Sequence, residues 1–198
     1  MGNRLRALLI APPGAGKGTQ AKAISTEFGV EVISSGDLFR AEVAAGTPLG
    51  HQVAGYLDRG DLVPDALVHQ LVRAKVLDAV ARTGGYLLDG FPRTMEQARV
   101  AHASAVEAGL QANAVVTFEV PRDVSVERML ARARVEGRTD DDKATVLHRL
   151  DVYERETAPV VGFYDALGVL VRIDADRPVD EVTAATLAAL HAAIGQPA

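Results

Sequence analysis

Leu8-Leu9-Ile10-Ala11-Pro12-Pro13-Gly14-Ala15-Gly16-Lys17-Gly18-Thr19-Gln20 decides the fold. An apolar, branched run passes into a glycine-rich loop ending in Lys-Gly-Thr, and a helix-compatible segment follows. This is the layout of a phosphate-binding P-loop. Gly14, Gly16 and Gly18 carry no Cβ, so the backbone can turn tightly and aim several N–H groups at one anion. Ala15 sits among them, and the helix that starts near Lys17 adds the positive end of its dipole. Lys17 can reach the β- and γ-phosphates, and the Thr19 hydroxyl can face Mg²⁺. The simple pattern G-x-x-x-x-G-K-[ST] would place Gly at position 11 and a hydroxyl residue at 18, where this chain has Ala11 and Gly18. The plainer alternative is a glycine-rich turn with an exposed lysine. The ordered series of strand, glycines, lysine and hydroxyl favours phosphate binding and leaves the reaction open.

Outward from the loop, short apolar runs alternate with helical patterns. Strands are expected at 5–11, 31–34, 86–89, 114–120 and 169–174, and helices at 19–28, 65–80, 94–108, 125–133, 145–156 and 181–194. Short buried strands separated by helices imply βαβ units. The expected fold is α/β: a three-layer α/β/α arrangement of the P-loop NTPase type on a five-stranded parallel sheet. Its ligand site should lie at the carboxyl ends of the strands. Two regions interrupt the alternation. Positions 36–80 hold helices without a strand, broken at Gly46-Thr47-Pro48 and Arg59-Gly60-Asp61. Positions 133–142 read as a short polar connector. Each is either a flap over the site or an ordinary surface loop.

The 198 residues fit one α/β domain, and 48% hydrophobic content permits a packed core. There is no cysteine, which excludes disulfides and Cys-based zinc sites and suits the cytoplasm. No apolar run approaches the ~18–20 residues of a membrane span, and nothing in the sequence leads us to expect a secretory signal or myristoylation. A net charge of −5 gives no overall attraction to nucleic acid. The basic residues are 17 Arg and 4 Lys, the stated total of 21. Arginine forks suit phosphate, although codon bias accounts equally well for the total. The five histidines (His51, His69, His102, His148 and His191) are scattered and read as surface or structural.

Two further motifs follow strand ends: Ser34-Ser35-Gly36-Asp37-Leu38-Phe39-Arg40 and Asp89-Gly90-Phe91-Pro92-Arg93-Thr94, with Gln97 one turn into the next helix. With the P-loop, they make the chain resemble the nucleoside monophosphate kinases, most closely the short-lid adenylate kinases, from about Leu5 to Ile194. The resemblance implies a core of 1–33, 64–130 and 142–198, a helical NMP-binding insertion at 34–63 and a short lid at 131–141. It implies that Gly14 to Thr19 hold the ATP phosphates and that Arg177 meets the ATP adenine. Ser35, Arg40, Asp61, Leu62, Val63, Gly90, Phe91, Pro92, Arg93 and Gln97 would bind AMP, with Arg93 on its phosphate and Gln97 on the adenine edge. Arg128 and Arg132 match the arginine pair before the lid, and Arg138 and Arg149 the pair after it. Lys17, Arg93, Arg128, Arg138 and Arg149 would be catalytic, with Arg132 on ATP and both Arg138 and Arg149 also near AMP. Asp89 would hold Mg²⁺ through water. The short, cysteine-free lid implies no zinc, and the family pattern implies a cytoplasmic monomer whose partners are ATP, AMP and ADP.

The residues themselves agree with this. Arg128 and Arg132 are four apart on one helix and share a face. Phosphoryl transfer needs alignment and charge neutralisation. No general base is required, because an AMP phosphate oxygen is already largely ionised near neutrality, its second pKa being ≈ 6. Ala11 costs little if its φ is negative. The expected reaction is Mg·ATP + AMP ⇌ 2 ADP. A UMP/CMP kinase and a catalytically inactive nucleotide-binding regulator are the alternatives. Ser35 and Thr94 lean toward AMP, since the pyrimidine enzymes usually have Ala and Asn there.

Overall fold

Five parallel strands, β1 (Arg6–Leu9), β2 (Val32–Ser34), β3 (Tyr86–Asp89), β4 (Ala114–Glu119) and β5 (Leu170–Asp174), lie in the order β2-β3-β1-β4-β5. The computed structural model describes residues 4–136 and 142–195. The helices are α1 (Lys17–Phe28), α2 (Ser35–Ala44), α3 (Pro48–Arg59), α4 (Asp65–Thr83), α5 (Met95–Glu107), α6 (Arg122–Glu136), α7 (Lys143–Val152), α8 (Ala158–Ala166) and α9 (Val179–Gly195). A π-helical turn, Tyr153–Thr157, joins α7 to α8.

The central strands β3, β1 and β4 are buried on both faces, which is why they read as nearly continuous apolar runs. Side chains alternate across the sheet. Ala7, Leu9, Leu87, Val116 and Phe118 pack on one side with Ile24 of α1 and Leu190 of α9. Leu8, Ile10, Tyr86, Leu88 and Val115 pack on the other with Val72 of α4, Ala98 of α5 and Val160 of α8. Phe39 of α2 and Val53 of α3 extend this second cluster, so the helical insertion is anchored to the core face that carries α4 and α5.

The strand order sets the location of the site. From β1 the chain moves out one way to β2, and from β3 it crosses β1 to reach β4. The direction reverses about β1, and a parallel sheet opens a crevice at the carboxyl ends of its strands where this happens. Leu9 and Ser34 are both in register with Asp89, the last residue of β3.

Strand bounds agree with expectation to within two residues, and the helical insertion contains no strand. Two corrections concern the helices. First, α6 runs from Arg122 to Glu136 rather than 125–133, so the expected connector begins as helix; positions 137–141 lie outside the described residues. Second, the single helix expected at 145–156 is replaced by α7, the π turn and α8. The Asp142 carboxylate starts α7 early by accepting from the backbone N–H groups of Ala144 (2.9 Å) and Thr145 (3.2 Å). Pro159 stands in the first turn of α8, where its missing N–H does no harm.

Phe118 is fully buried at the heart of the first cluster. Phe118→Ala should destabilise the fold by about 3–5 kcal/mol, measured from the midpoint of urea unfolding. A loss below about 1 kcal/mol would mean that this layer is not packed as described.

Candidate active site

One cleft of about 990 Å³ runs along the carboxyl ends of the strands, at the upper end of the range for small-molecule sites. Its walls include the whole loop from Pro13 to Gln20, Ser34, Gly36, Asp37 and Arg40 from the insertion, Asp89 to Arg93 apart from Phe91, and the side chains of Arg128, Arg132, Arg149 and Arg177. Residues from six separate stretches of sequence therefore face one volume.

The loop conformation follows from its glycines. Gly14 and Gly16 have φ of +83° and +86°, in the left-handed region that L side chains avoid. A Cβ on Gly14 would also lie 2.5 Å from the Ser125 carbonyl oxygen. Ala11 does not have positive φ, so the residue that departs from the simple P-loop pattern fits without strain. The Lys17 ammonium donates to the carbonyls of Ala11 (2.8 Å) and Pro12 (3.0 Å), folding back over the loop.

Positive charge is crowded here. The Lys17 pKa falls from 10.5 to about 8, first through burial and then through the charges of Arg93, Arg149 and Arg132, while Asp89 pulls it upward. The Arg93 guanidinium is likewise held below its ordinary value, first by burial and then by Arg149 and Arg40, against Asp89. Such a cleft favours an anion, because phosphate oxygens would relieve the repulsion. Asp89 and Thr19 line it together. Among the described residues no group of three or more His, Cys, Asp or Glu side chains forms a metal cage. One carboxylate and one hydroxyl fit an ion that keeps its waters and shares phosphate oxygens, as Mg²⁺ does.

A second, smaller cavity of about 40 Å³ opens beside the cleft, lined by Ser35, Gly36, Phe39, Leu57, Asp61, Leu62, Val63, Val68, Gly90, Arg93 and Gln97. It has room for water rather than a purine. The Asp61 carboxylate accepts from Arg59 Nε and contacts His148 Nε2, both at 2.8 Å. This ties the end of the insertion to α7, and the contact with His148 is the main reason the Asp61 pKa is lowered. Gly60 sits against Arg149 so closely that a Cβ would lie 2.5 Å from its Cγ.

Several expected site residues are engaged within the protein. Ser35 Oγ donates to the Gly90 carbonyl (2.7 Å), and Arg93 Nε donates to the same oxygen (2.7 Å). Arg40 pairs with Asp37. Arg128 donates to the Ala175 carbonyl (3.0 Å), and Arg177 pairs with Asp174 (2.8 Å). Phe91 lines neither cavity: its ring is buried in the core against His69. Arg138 lies outside the described residues. The histidines are structural or exposed, with His191 on Glu27 and His102 edge-on to Phe163.

Two residues that hold this site have no local signature in the sequence. Thr157, in the π turn and 6% exposed, donates to the Arg93 carbonyl oxygen (2.8 Å). Asp65, at the start of α4, accepts from the Gln97 amide (2.6 Å). The Thr157-Ala158-Pro159 sequence was a signal for a helix boundary, though not for the contact.

The lowered Lys17 pKa has a consequence for stability. Between about 8 and 10.5 the folded chain binds fewer protons at Lys17 than the unfolded chain, so the penalty of burying the charge is complete below that window and fades as pH rises through it. The unfolding free energy of wild type minus that of Lys17→Met should therefore rise across this window. A flat difference in denaturant titrations would show that Lys17 is not electrostatically stressed.

Comparison with known proteins agrees with this geometry. The adenylate kinase family model matches residues 9–169. An adenylate kinase of Thermobifida fusca is 42% identical over 186 residues, 94% of this chain and 98% of that protein. One of Thermus thermophilus is 46% identical over 183 residues, 92% and 95% of the two chains. One of Mycobacteroides abscessus is 47% identical over 186 residues, 94% and 99%. With a P-loop, an arginine-lined cleft and likeness over nearly its whole length, the chain belongs to the adenylate kinase family.

Proposed function

We propose how this enzyme, an ATP:AMP phosphotransferase, divides the work among its residues. ATP lies along the P-loop, its phosphates cradled by the backbone of Gly14 to Thr19 and its adenine against Arg177. AMP enters beside α2 and α5, with its base in the small cavity at Gln97 and its phosphate between Arg40 and Arg93. Ser35, Asp61, Leu62, Val63, Gly90 and Pro92 form the walls of the AMP site. Phe91 contributes through its backbone, since its ring is in the core. The observation that carries this reading is that Lys17, Arg93, Arg128, Arg132 and Arg149 line the same cleft.

An oxygen of the AMP phosphate attacks the γ-phosphorus of ATP in line, the bond from γ-phosphorus to the bridging oxygen breaks, and each nucleotide leaves as ADP. The protein contributes alignment and stabilisation of charge on the equatorial oxygens. Lys17 neutralises the β- and γ-phosphates. Arg93, Arg128, Arg132, Arg138 and Arg149 complete the positive shell. Asp89, through water, and Thr19 would hold Mg²⁺, which when bound neutralises phosphate oxygens. The cleft is formed by a single chain, and we take the enzyme to act as a cytoplasmic monomer on ATP, AMP and ADP, without nucleic acid or membrane. Among the described residues no helix is long and apolar enough to cross a membrane.

The three parts of the chain follow from the same reading: a core of 1–33, 64–130 and 142–198, an AMP-binding segment at 34–63 and a lid at 131–141. Both flaps close inward over bound phosphates and exclude water.

Lys17→Ala should lower kcat by about 10²–10³ with the fold retained, read in a coupled ADP assay and by circular dichroism. A variant keeping more than half of wild-type activity would place ATP elsewhere. Hydrogen exchange tests the flaps. Adding a mimic in which five phosphates join two adenosines should protect 36–63 and 133–142 while 8–10 and 115–118 change little. Unchanged exchange in both flaps at saturation would overturn the closure.

A further inference from the structure

The Gln97 side chain is 1% exposed and held at both ends. Its Oε1 accepts from the Arg93 backbone N–H at 2.8 Å, and its Nε2 donates to Asp65 Oδ1 at 2.6 Å. A peptide N–H can only donate, and a carboxylate can only accept. Rotating the amide by half a turn would put N–H against N–H at one end and oxygen against carboxylate at the other. One orientation is therefore imposed, from two sides, by groups that cannot exchange roles.

This lock decides what the amide can offer a ligand. An amide has two N–H donors and two acceptor lone pairs. Among the described residues, Arg93 and Asp65 use one of each, leaving one N–H beside one lone pair. Gln97 lines the small cavity with Ser35, Leu62, Val63 and Val68. A donor next to an acceptor complements the edge of a 6-aminopurine, whose N1 accepts and whose N6 amino group donates. A 6-oxopurine reverses both atoms, since N1–H donates and O6 accepts. The Arg93 N–H alone would resist rotation with one mismatch, and Asp65 supplies the second.

We propose that Asp65 is a specificity-determining positioning residue: by fixing the Gln97 amide it makes the acceptor site choose 6-aminopurine over 6-oxopurine monophosphates. Asp65 lines neither the cleft nor the small cavity. It acts through Gln97, held in place at the first turn of α4 and within 3.5 Å of Thr94 Oγ1. The inference rests on the reading above that Gln97 faces the acceptor base.

The test compares AMP with inosine monophosphate as acceptors, following diphosphate formation by chromatography. The ratio of kcat/KM for AMP to that for inosine monophosphate is the readout, because a purely structural role would lower both substrates together. Asp65→Ala should reduce this ratio about tenfold or more, mostly through the KM for AMP, in keeping with the cost of an unmatched buried polar group. Asp65→Asn, which keeps the shape and can present either an oxygen or an N–H, should reduce it by a smaller factor, about threefold, and carries the test if the alanine variant does not fold. Gln97→Leu should remove the discrimination. A wild-type ratio in either folded Asp65 variant, with the ratio lost in Gln97→Leu, overturns the role of Asp65 alone. A wild-type ratio in Gln97→Leu as well overturns the placement of the base, and the inference with it.

Discussion

Repulsion among like charges held at one edge of a sheet is the constraint on which this site depends. Lys17 stands half-buried among the charges of Arg93, Arg149 and Arg132, with Asp89 pulling the other way. A chain of net charge −5 thus concentrates its cations where the strands end. The arrangement destabilises the folded protein and suits an anionic ligand, because phosphate oxygens offset repulsion among the cations. The scaffold is built to hold it: a sheet whose central strands are buried on both faces, a loop forced by Gly14 and Gly16 into a conformation other residues avoid, and an Arg93 whose backbone is held by Gln97 and Thr157 and whose Nε donates to Gly90.

The crowded cations come from separate elements of the fold. Arg40 belongs to the helical insertion and Arg132 to the end of α6. Asp61 touches His148 across 87 residues of chain, and Gly60 packs on Arg149. The cavity that the insertion shares with α4 and α5 measures about 40 Å³ in this structure.

Much of this was legible in the sequence because it is local. Alternation of strand and helix, the glycines, Lys17 and the arginines at helical spacing are all read within a few residues, and the structure places strand ends within two residues of expectation. What was illegible acts across long separations. Thr157 reaches Arg93 over 64 residues, and Asp65 reaches Gln97 over 32, and neither pairing leaves a periodic trace. The π turn was hidden for a related reason: α7, the turn and α8 form one continuous helical stretch, and the extra residue that turns Thr157 inward changes no composition. Phe91 shows the converse. It stands within a motif of the site, yet its ring belongs to the core.

The central claim is that one cation-lined cleft receives the phosphates of both nucleotides in line. Titration calorimetry with two adenosines joined by five phosphates tests it most directly. The account predicts one mimic per chain, bound far more tightly than ATP or AMP alone because the second half binds at high effective concentration. Binding of two mimics per chain, or an affinity no better than that of either nucleotide, would contradict it.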